Sequence, residues 1–285
     1  MITMKLKELK HSDVLQILPD RTPESHKGDY GKILLLCGSR GYTGAAALAA
    51  MGALRCGAGL VYLGVPESIY TIEAAKLLEP VVFPLPDEEG MLSVRAVDKI
   101  TQMLPNMDAV LIGPGLGQGK GVFAVVKAVL EQFTGTVVLD ADGINVLADH
   151  IDLLRGRTAP TILTPHMGEF SRISGQTCED RVTDAVRFSA DNGVILLLKG
   201  HRTVITDGVD CYINNTGNPG MAVGGSGDVL AGMITALLGQ EVAPLQAAAC
   251  GAWLHGAAGD ICAKEIGQYG MLPSDMLRVL PRLLK

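Results

Sequence analysis

The chain has 285 residues, a formal net charge of −6, 48% hydrophobic residues, 4% aromatics and 35 glycines. That length supports a sizeable core. The acidic balance, with no basic run, argues against a nucleic-acid or membrane-surface binder.

In chain order, residues 1–31 read as a short helix followed by the polar loop "PDRTPESHKGDYG". No apolar segment of signal-peptide type opens the chain, so the expected location is the cytoplasm. "KILLLCGS" is a continuous apolar run of strand length, the pattern of a strand buried on both faces. "GYTGAAALAAMGALRCGAG" follows as a small-residue helix, whose backbone can pack closely on its neighbours. "LVYLGVP", "EPVVFPLP", "MDAVLIGPGLG", "GTVVLDADG", "APTILTPHMGE" and "GVILLLKG" repeat the buried-strand pattern, mostly separated by helix-like stretches such as "VFAVVKAVLEQF". Strands alternating with helices predict a mostly parallel sheet with helices on both faces. After residue 200, "RTVITDG" and "DCYINN" read as a hairpin joined by a tight Asp-Gly turn. Three helices follow, in "SGDVLAGMITALLGQ", "PLQAAACGAWLHGAAGDICAKEI" and "PSDMLRVLPRLL". No repeat or linker interrupts residues 1–285, so one domain is expected. Six cysteines (37, 56, 178, 211, 250 and 262) lack C-x-x-C spacing, which suits free thiols in a reducing cytosol.

Each strand ends in a polar or glycine-rich cluster, and the right-handed crossover rule gathers these clusters along one sheet edge, where α/β proteins bind ligands. "GPGLGQGKG" is not a P-loop: Pro114 replaces the first required glycine, and Gly121 follows Lys120 in place of Ser or Thr. "GSRGYTG" lacks the dinucleotide fingerprint spacing. Each of these loops reads equally as a tight turn or a ligand cradle. "NPGMAVGGSGD" carries more. An ordinary helix start, with Ser226 as N-cap and Asp228 in the first turn, would explain those two residues but not the glycines beside them. Glycines at a helix N-terminus let backbone N–H groups approach an anion. A carboxylate beside a phosphate cradle suggests a base that takes a proton from an attacking hydroxyl. The helix-start N–H groups should favour its ionised form.

The remaining polar positions are less specific. His166 and Glu169 in "TPHMGEF" fit a helix cap as well as a site. Asp140 and Asp142 in "DADG" are candidates either to hold Mg2+ or a water, or to cap the next helix. Lys199 either meets a phosphate or ends a strand in solvent. His11, His26, His150 and His255 show no metal spacing and read as structural or surface residues.

Taken together, "SHKGDYGKILLLCGS", "GYTGAAALAAMGALRCGAGLV", "GPGLG", "VVLDADGINVLA", "ILTPHMGEF", "KGHRTVITDG" and "NPGMAVGGSGDVLAGMI" resemble the nucleotide-dependent NAD(P)H-hydrate dehydratases. These are a branch of the ribokinase-like superfamily, and the resemblance runs from about Ser25 to near the C-terminus. It implies a three-layer α/β sandwich. It implies repair of the S-epimer of hydrated NADH or NADPH: ADP or ATP phosphorylates the ring hydroxyl, phosphate leaves and the cofactor is restored, with AMP formed from ADP. By resemblance Asp228 is the base touching the hydrate, and Gly227 contacts the nucleotide. Lys199, Gly200, His201, Arg202 and Thr203 hold the AMP portion. Ala45, Gly115, Gly117 and His166 hold the hydrated dinucleotide. Glu169 assists Mg2+, by analogy with superfamily kinases. The resemblance also implies a preference for ADP and a homotetramer.

Two departures stand out. Gly143 occupies a place where the family commonly has Ala, a packing matter. The roughly 30 residues before the first buried strand leave no room for the epimerase domain of many relatives, so dehydratase activity alone is expected. The runner-up is a vitamin-precursor kinase of the same superfamily, against which "NPGMAVGGSGD" in place of "DTxGAGD" argues. A non-catalytic nucleotide sensor is a third reading, and an intact Asp228 argues against it.

Overall fold

The computed structural model describes residues 6–284. Its strands are β1 (Leu6–Lys7), β2 (Lys32–Leu36), β3 (Leu60–Pro66), β4 (Val81–Leu85), β5 (Asp87–Glu88), β6 (Met91–Leu92), β7 (Ala109–Ile112), β8 (Thr136–Leu139), β9 (Thr161–Leu163), β10 (Ile195–Leu198), β11 (Thr203–Thr206) and β12 (Cys211–Asn214). Its helices are α1 (His11–Ile17), α2 (Thr43–Arg55), α3 (Glu67–Lys76), α4 (Ala96–Met103), α5 (Lys120–Gln132), α6 (Asp142–Asn145), α7 (Asp152–Arg155), α8 (Met167–Ser174), α9 (Arg181–Asn192), α10 (Ser226–Gly239), α11 (Pro244–Glu265) and α12 (Pro273–Val279).

Ten strands form one sheet in the order β1-β12-β11-β10-β9-β8-β7-β2-β3-β4, and β5 pairs with β6 as a small separate hairpin. Only the β10–β11 and β11–β12 pairings are antiparallel in the large sheet. Alternate residues of each buried strand feed opposite faces. Ile33, Leu35, Leu63, Leu111 and Leu197 join one core with residues of α2, α10 and α11. Leu34, Leu36, Val110, Leu139 and Leu196 join a second core with residues of α4, α5, α8 and α9. Two apolar faces on one sheet need two helical layers, which gives the expected three-layer sandwich.

The small residues have a use at the α2–α10 contact. A Cβ on Gly232 would lie 2.0 Å from the Ala49 carbonyl oxygen, and one on Gly52 would lie 2.5 Å from that of Val229. The two backbones therefore touch, and α10 sits close against the sheet edge where the site forms.

The chain lays β2, β3 and β4 outward in one direction, then returns to place β7 on the other side of β2. The strand order thus reverses between β2 and β7, and ligands of open α/β sheets bind at such a point. There Gly38 N–H donates to the Pro114 carbonyl at 2.7 Å.

Some expectations need correction. The β11–β12 connection is a four-residue loop, since Thr206 pairs with Cys211. It is not a two-residue turn because the Asp207 carboxylate takes the N–H groups of Val209 (2.9 Å) and Asp210 (2.8 Å). Leu6–Lys7, read as part of a helix-and-loop segment, pairs parallel with β12 instead. The first five residues lie outside the described range. All six cysteines are free thiols, as expected. Among the described residues no helix is long and apolar enough to cross a membrane.

Candidate active site

The cleft is built at the carboxyl ends of β2, β7, β8, β9 and β10 and closed by the start of α10. Neighbouring strands β8, β9 and β10 each present one polar residue just past their last position: Asp140, Thr164 and Lys199. Parallel register brings the three together. Asp140 Oδ1 accepts from Lys199 Nζ at 2.8 Å and from Thr164 Oγ1 at 2.7 Å. Asp140 is 1% exposed, so this charge is kept in a low-dielectric setting only because it is paired. Burial pulls the Lys199 pKa down. The charges of Asp140 and Glu169 and the bond to Asp140 outweigh that and leave it raised, so the ammonium stays charged.

Lys199 points at the glycine run. A Cβ placed on Gly227 would lie 3.2 Å from Lys199 Nζ and 3.9 Å from Asp140 Oδ2. Gly227 is thus glycine where an ammonium needs the space over the first turn of α10. Gly225 is glycine for another reason: its φ of 97° belongs to the left-handed region, and a Cβ there would strike Leu48. Gly225 is the N-cap of α10, which corrects the expectation that Ser226 caps it. Ser226 lies one residue inside the helix, and its Oγ sits 3.4 Å from Nε2 of the buried His255. Burial pushes the His255 pKa down to about 4, so this ring is neutral.

Asp228 occupies the first turn of α10. The helix start does not lower its pKa, contrary to expectation. Burial first, then the Asp140 charge, push its pKa up to about 6, while Lys199 acts in the opposite sense. The desolvation and the like charge are larger than the effect of partial charges at a helix terminus. A carboxyl poised near 6 is a better proton acceptor at neutral pH than an ordinary aspartate, because its conjugate acid is weaker.

The second wall is the "GPGLG" loop after β7. Ser39 Oγ donates to the Gly115 carbonyl at 2.7 Å. A Cβ on Gly115 would lie 2.8 Å from that of Ala45, so these two candidate substrate contacts are neighbours. Gly117 N–H donates to Asp142 Oδ2 at 2.8 Å, and a Cβ on Gly117 would press on Met91 of β6. Between the two aspartates, Ala141 sits at φ 47°, a backbone state that L-residues rarely adopt. This kink separates Asp140, paired with Lys199, from Asp142, which anchors Gly117.

His166 and Glu169 form a reciprocal cap at the start of α8. His166 Nδ1 accepts from the N–H groups of Gly168 (3.0 Å) and Glu169 (3.2 Å), and Glu169 Oε2 accepts from His166 N–H at 2.8 Å. The cap reading is therefore realised. It leaves His166 exposed at the rim, with Glu169 buried and its charge felt by Lys199. Gly200, His201 and Arg202 lie in the loop joining β10 to β11, and Thr203, the first residue of β11, closes it with its Oγ1 donating to the Gly200 carbonyl at 2.9 Å. His201 and Arg202 are exposed. Asn218 and Asp260 tie the "NPG" turn to α11, through Asn218 Nδ2 donating to Asp260 Oδ1 at 3.0 Å. Among the described residues no three His, Cys, Asp or Glu side chains converge as a metal cluster.

This cleft gathers a glycine-lined helix start, a fixed lysine and a carboxyl of raised proton affinity. A family model described as NAD(P)H-hydrate dehydratase matches residues 33–282, nearly all of the chain that builds it. The chain belongs to the NAD(P)H-hydrate dehydratase family. The bifunctional NAD(P)H-hydrate repair enzyme Nnr of Moorella thermoacetica is 46% identical over 275 residues, covering 94% of this chain and 52% of that protein. The chain spans about half the length of the curated relatives it matches. A solved ADP/ATP-dependent NAD(P)H-hydrate dehydratase of Bacillus subtilis, co-crystallized with ATP/Mg2+, superposes with a TM-score of 0.84 at 32% identity, covering 99% of this chain and 98% of that one. A ribokinase-like superfamily protein of Enterococcus faecalis superposes with a TM-score of 0.87 at 28% identity, covering 98% and 95% of the two chains. The dehydratase fold is thus ribokinase-like, as expected from the sequence.

The sequence left open the part Asp140 plays beside Lys199, and His255 was read as an ordinary structural or surface residue. The signal for Asp140 was present: Asp140 and Lys199 each follow a buried strand by one residue, at the same end of a parallel sheet. Nothing in the residues near His255 announces its contact with Ser226, which spans 29 positions.

Proposed function

We propose that this dehydratase restores NADH or NADPH from the S-epimer of its hydrate, with ADP or ATP as phosphoryl donor and AMP as the product from ADP. Asp228 accepts the proton of the ring hydroxyl as its oxygen attacks the terminal phosphorus of the nucleotide. The bond from that phosphorus to its bridging oxygen breaks, and the shortened nucleotide departs. Phosphate is a better leaving group than water, so the ester C–O bond then breaks and releases phosphate, the adjacent ring carbon gives its proton to solvent, and that C–H electron pair re-forms the ring double bond. The observation that carries this reading is the Lys199 ammonium fixed over Gly227 in the same turn as a carboxyl poised near 6. The cation meets charge on the phosphoryl group while the carboxylate takes the proton.

Ala45, Gly115, Gly117 and His166 are assigned to the hydrated dinucleotide, together with Asp228. Lys199, Gly200, His201, Arg202, Thr203 and Gly227 are assigned to the nucleotide. Mg2+ fits this site as an ion that arrives with the nucleotide. Such ions keep water and phosphate oxygens and need only one or two carboxylates, so the lack of an all-protein cluster among the described residues suits it. Glu169, buried and within the electrostatic reach of Lys199, would help hold it. When bound, the ion offsets phosphate charge.

ADP is the preferred donor in this reading. The protein is one domain over residues 1–285, assembles as a homotetramer and works in the cytoplasm on small molecules, not on nucleic acid or membranes. The test is to mix the protein with hydrated NADH, Mg2+ and ADP or ATP. The reduced-nicotinamide absorbance should recover, with one phosphate lost from the nucleotide per NADH formed. A stable phosphorylated alcohol with no NADH would make the protein a small-alcohol kinase instead.

A further inference from the structure

Residues 199–202, which lead from β10 to Thr203 at the start of β11, are neither helix nor strand, and their backbone carbonyls are gripped by a side chain from α9. Arg181, the first residue of α9, sends its guanidinium under the loop. Nη1 donates to the His201 carbonyl, and Nη2 donates to those of Leu198 (3.0 Å) and Lys199 (3.3 Å). Gly200 is shaped around the same group. It has a φ of 149°, and a Cβ there would lie 2.9 Å from Arg181 Nη2 and 3.2 Å from Cζ. Gly200 is therefore glycine because the guanidinium fills the space that a side chain would need. Arg181 is in turn fixed by the start of its helix, where Asp180 Oδ1 caps Thr183 N–H at 2.7 Å and Asp184 Oδ2 accepts from Glu179 N–H at 2.9 Å. A lysine would present all its donors from one nitrogen, whereas the guanidinium divides these contacts between two separated nitrogens in a fixed plane.

We propose that Arg181 is a positioning residue for the nucleotide: by gripping the carbonyls of Leu198, Lys199 and His201 it holds the segment from Lys199 to Thr203 in the shape that receives the AMP portion. The inference rests on the assignment of that loop to the nucleotide. Arg181 itself touches no reacting atom, so its loss should act on nucleotide affinity and not on the hydrate.

The experiment compares Arg181→Ala, Arg181→Lys and Lys199→Ala with the unaltered protein, using ADP titration, the two KM values, kcat and a thermal melt. Arg181→Ala should raise the ADP Kd and KM about tenfold, a loss of about 1.4 kcal/mol, with the hydrate KM within about twofold. Arg181→Lys should recover little of this. Millimolar guanidinium should restore much of the ADP affinity of Arg181→Ala and leave the unaltered protein unchanged. If Lys199→Ala weakens ADP but neither Arg181 variant does, the inference is wrong and the nucleotide assignment stands. If Lys199→Ala also leaves ADP binding intact, the nucleotide assignment fails and takes the inference with it. Equal rises in both KM values, a lowered melt and no rescue by guanidinium would make Arg181 a structural residue only, and overturn the proposal. Should Arg181→Ala not fold, the ADP-to-hydrate split of Arg181→Lys decides the question in the same terms.

Discussion

Two glycine-rich loops of this protein each meet an aspartate, one through a hydrogen bond from Gly117 to Asp142 and the other in sequence at Asp228, and the two aspartates differ in kind. Asp142 has both oxygens occupied: Oδ2 by Gly117 N–H, Oδ1 by the side-chain amides of Asn145 (3.3 Å) and Gln118 (3.4 Å). The glycines it serves are consumed by packing, since a Cβ on Gly113, Gly115 or Gly117 would strike Asp140, Ala45 or Met91. Asp228 is the opposite case. Burial and the charge of Asp140 raise its pKa to about 6, and among the described residues no hydrogen bond counters them. Its loop has Gly224 facing open space and Gly227 facing an ammonium. A glycine loop next to an aspartate thus offers a base only where the carboxylate is left without hydrogen-bond donors. Where its oxygens are taken by backbone and amide groups, the aspartate shapes the loop that lines the site and does not act as a base.

The strongest way to break this comparison is to neutralise each aspartate in turn. Asp228→Asn should lower kcat by about a hundred- to ten-thousand-fold, the range for losing a general base. Its ADP Kd should stay near that of the unaltered protein, because the cradle is backbone. The sign of its stability effect follows from linkage. A raised pKa contributes stability that is present below the unfolded value of 3.8 and lost as the pH rises through about 6. At neutral pH the ionised Asp228 therefore opposes folding, and the Asn variant should melt at the same temperature or higher. Asp142→Asn should do the reverse, with a lowered melt, a raised hydrate KM and little change in kcat. Paired kinetics and thermal melts check both. A larger kcat loss in the Asp142 variant would exchange their roles.

A smaller effect sharpens the contrast inside one loop. Gly227→Ala brings a methyl to 3.2 Å from a lysine nitrogen that Asp140 holds in place, so the nucleotide KM should rise several-fold. Gly224→Ala has nothing within 4 Å to meet and should leave both KM values and the melt unchanged. Steady-state kinetics on the two variants decide it, and equal effects would mean that the Lys199 position does not matter to the nucleotide.

Much of this molecule was legible in its sequence because its strands are apolar on both faces, so runs such as "KILLL" and "ILLL" have no competing reading at that length. The chemistry-bearing loops were legible for the same reason, since each begins where such a run ends. The two-residue β5–β6 hairpin was not. "DEEGML" is too short and too polar for any period to show, yet Met91 reaches Gly117 and closes one side of the cleft. The ionisation of Asp228 was also misread. A helix start is visible in sequence, but its opponents are not: the burial of the first turn of α10, and an Asp140 that comes near only when β8 stands beside the cradle. Arg181 escaped notice because its partners are backbone carbonyls about 20 positions away, and carbonyls carry no sequence signature.

If Asp228 takes the proton of the hydrate's hydroxyl, its ionisation must govern how kcat/KM depends on pH. The measurement covers about pH 5 to about pH 8, for the unaltered protein and for the residual activity of Asp228→Asn. For the unaltered protein the logarithm of kcat/KM should rise with unit slope below a pH of about 6, bend there and then level, as a base of that pKa loses its proton. This limb should be missing from the Asn variant. A flat profile for the unaltered protein, or a limb that survives unchanged in Asp228→Asn, would contradict the claim and assign the proton to another group.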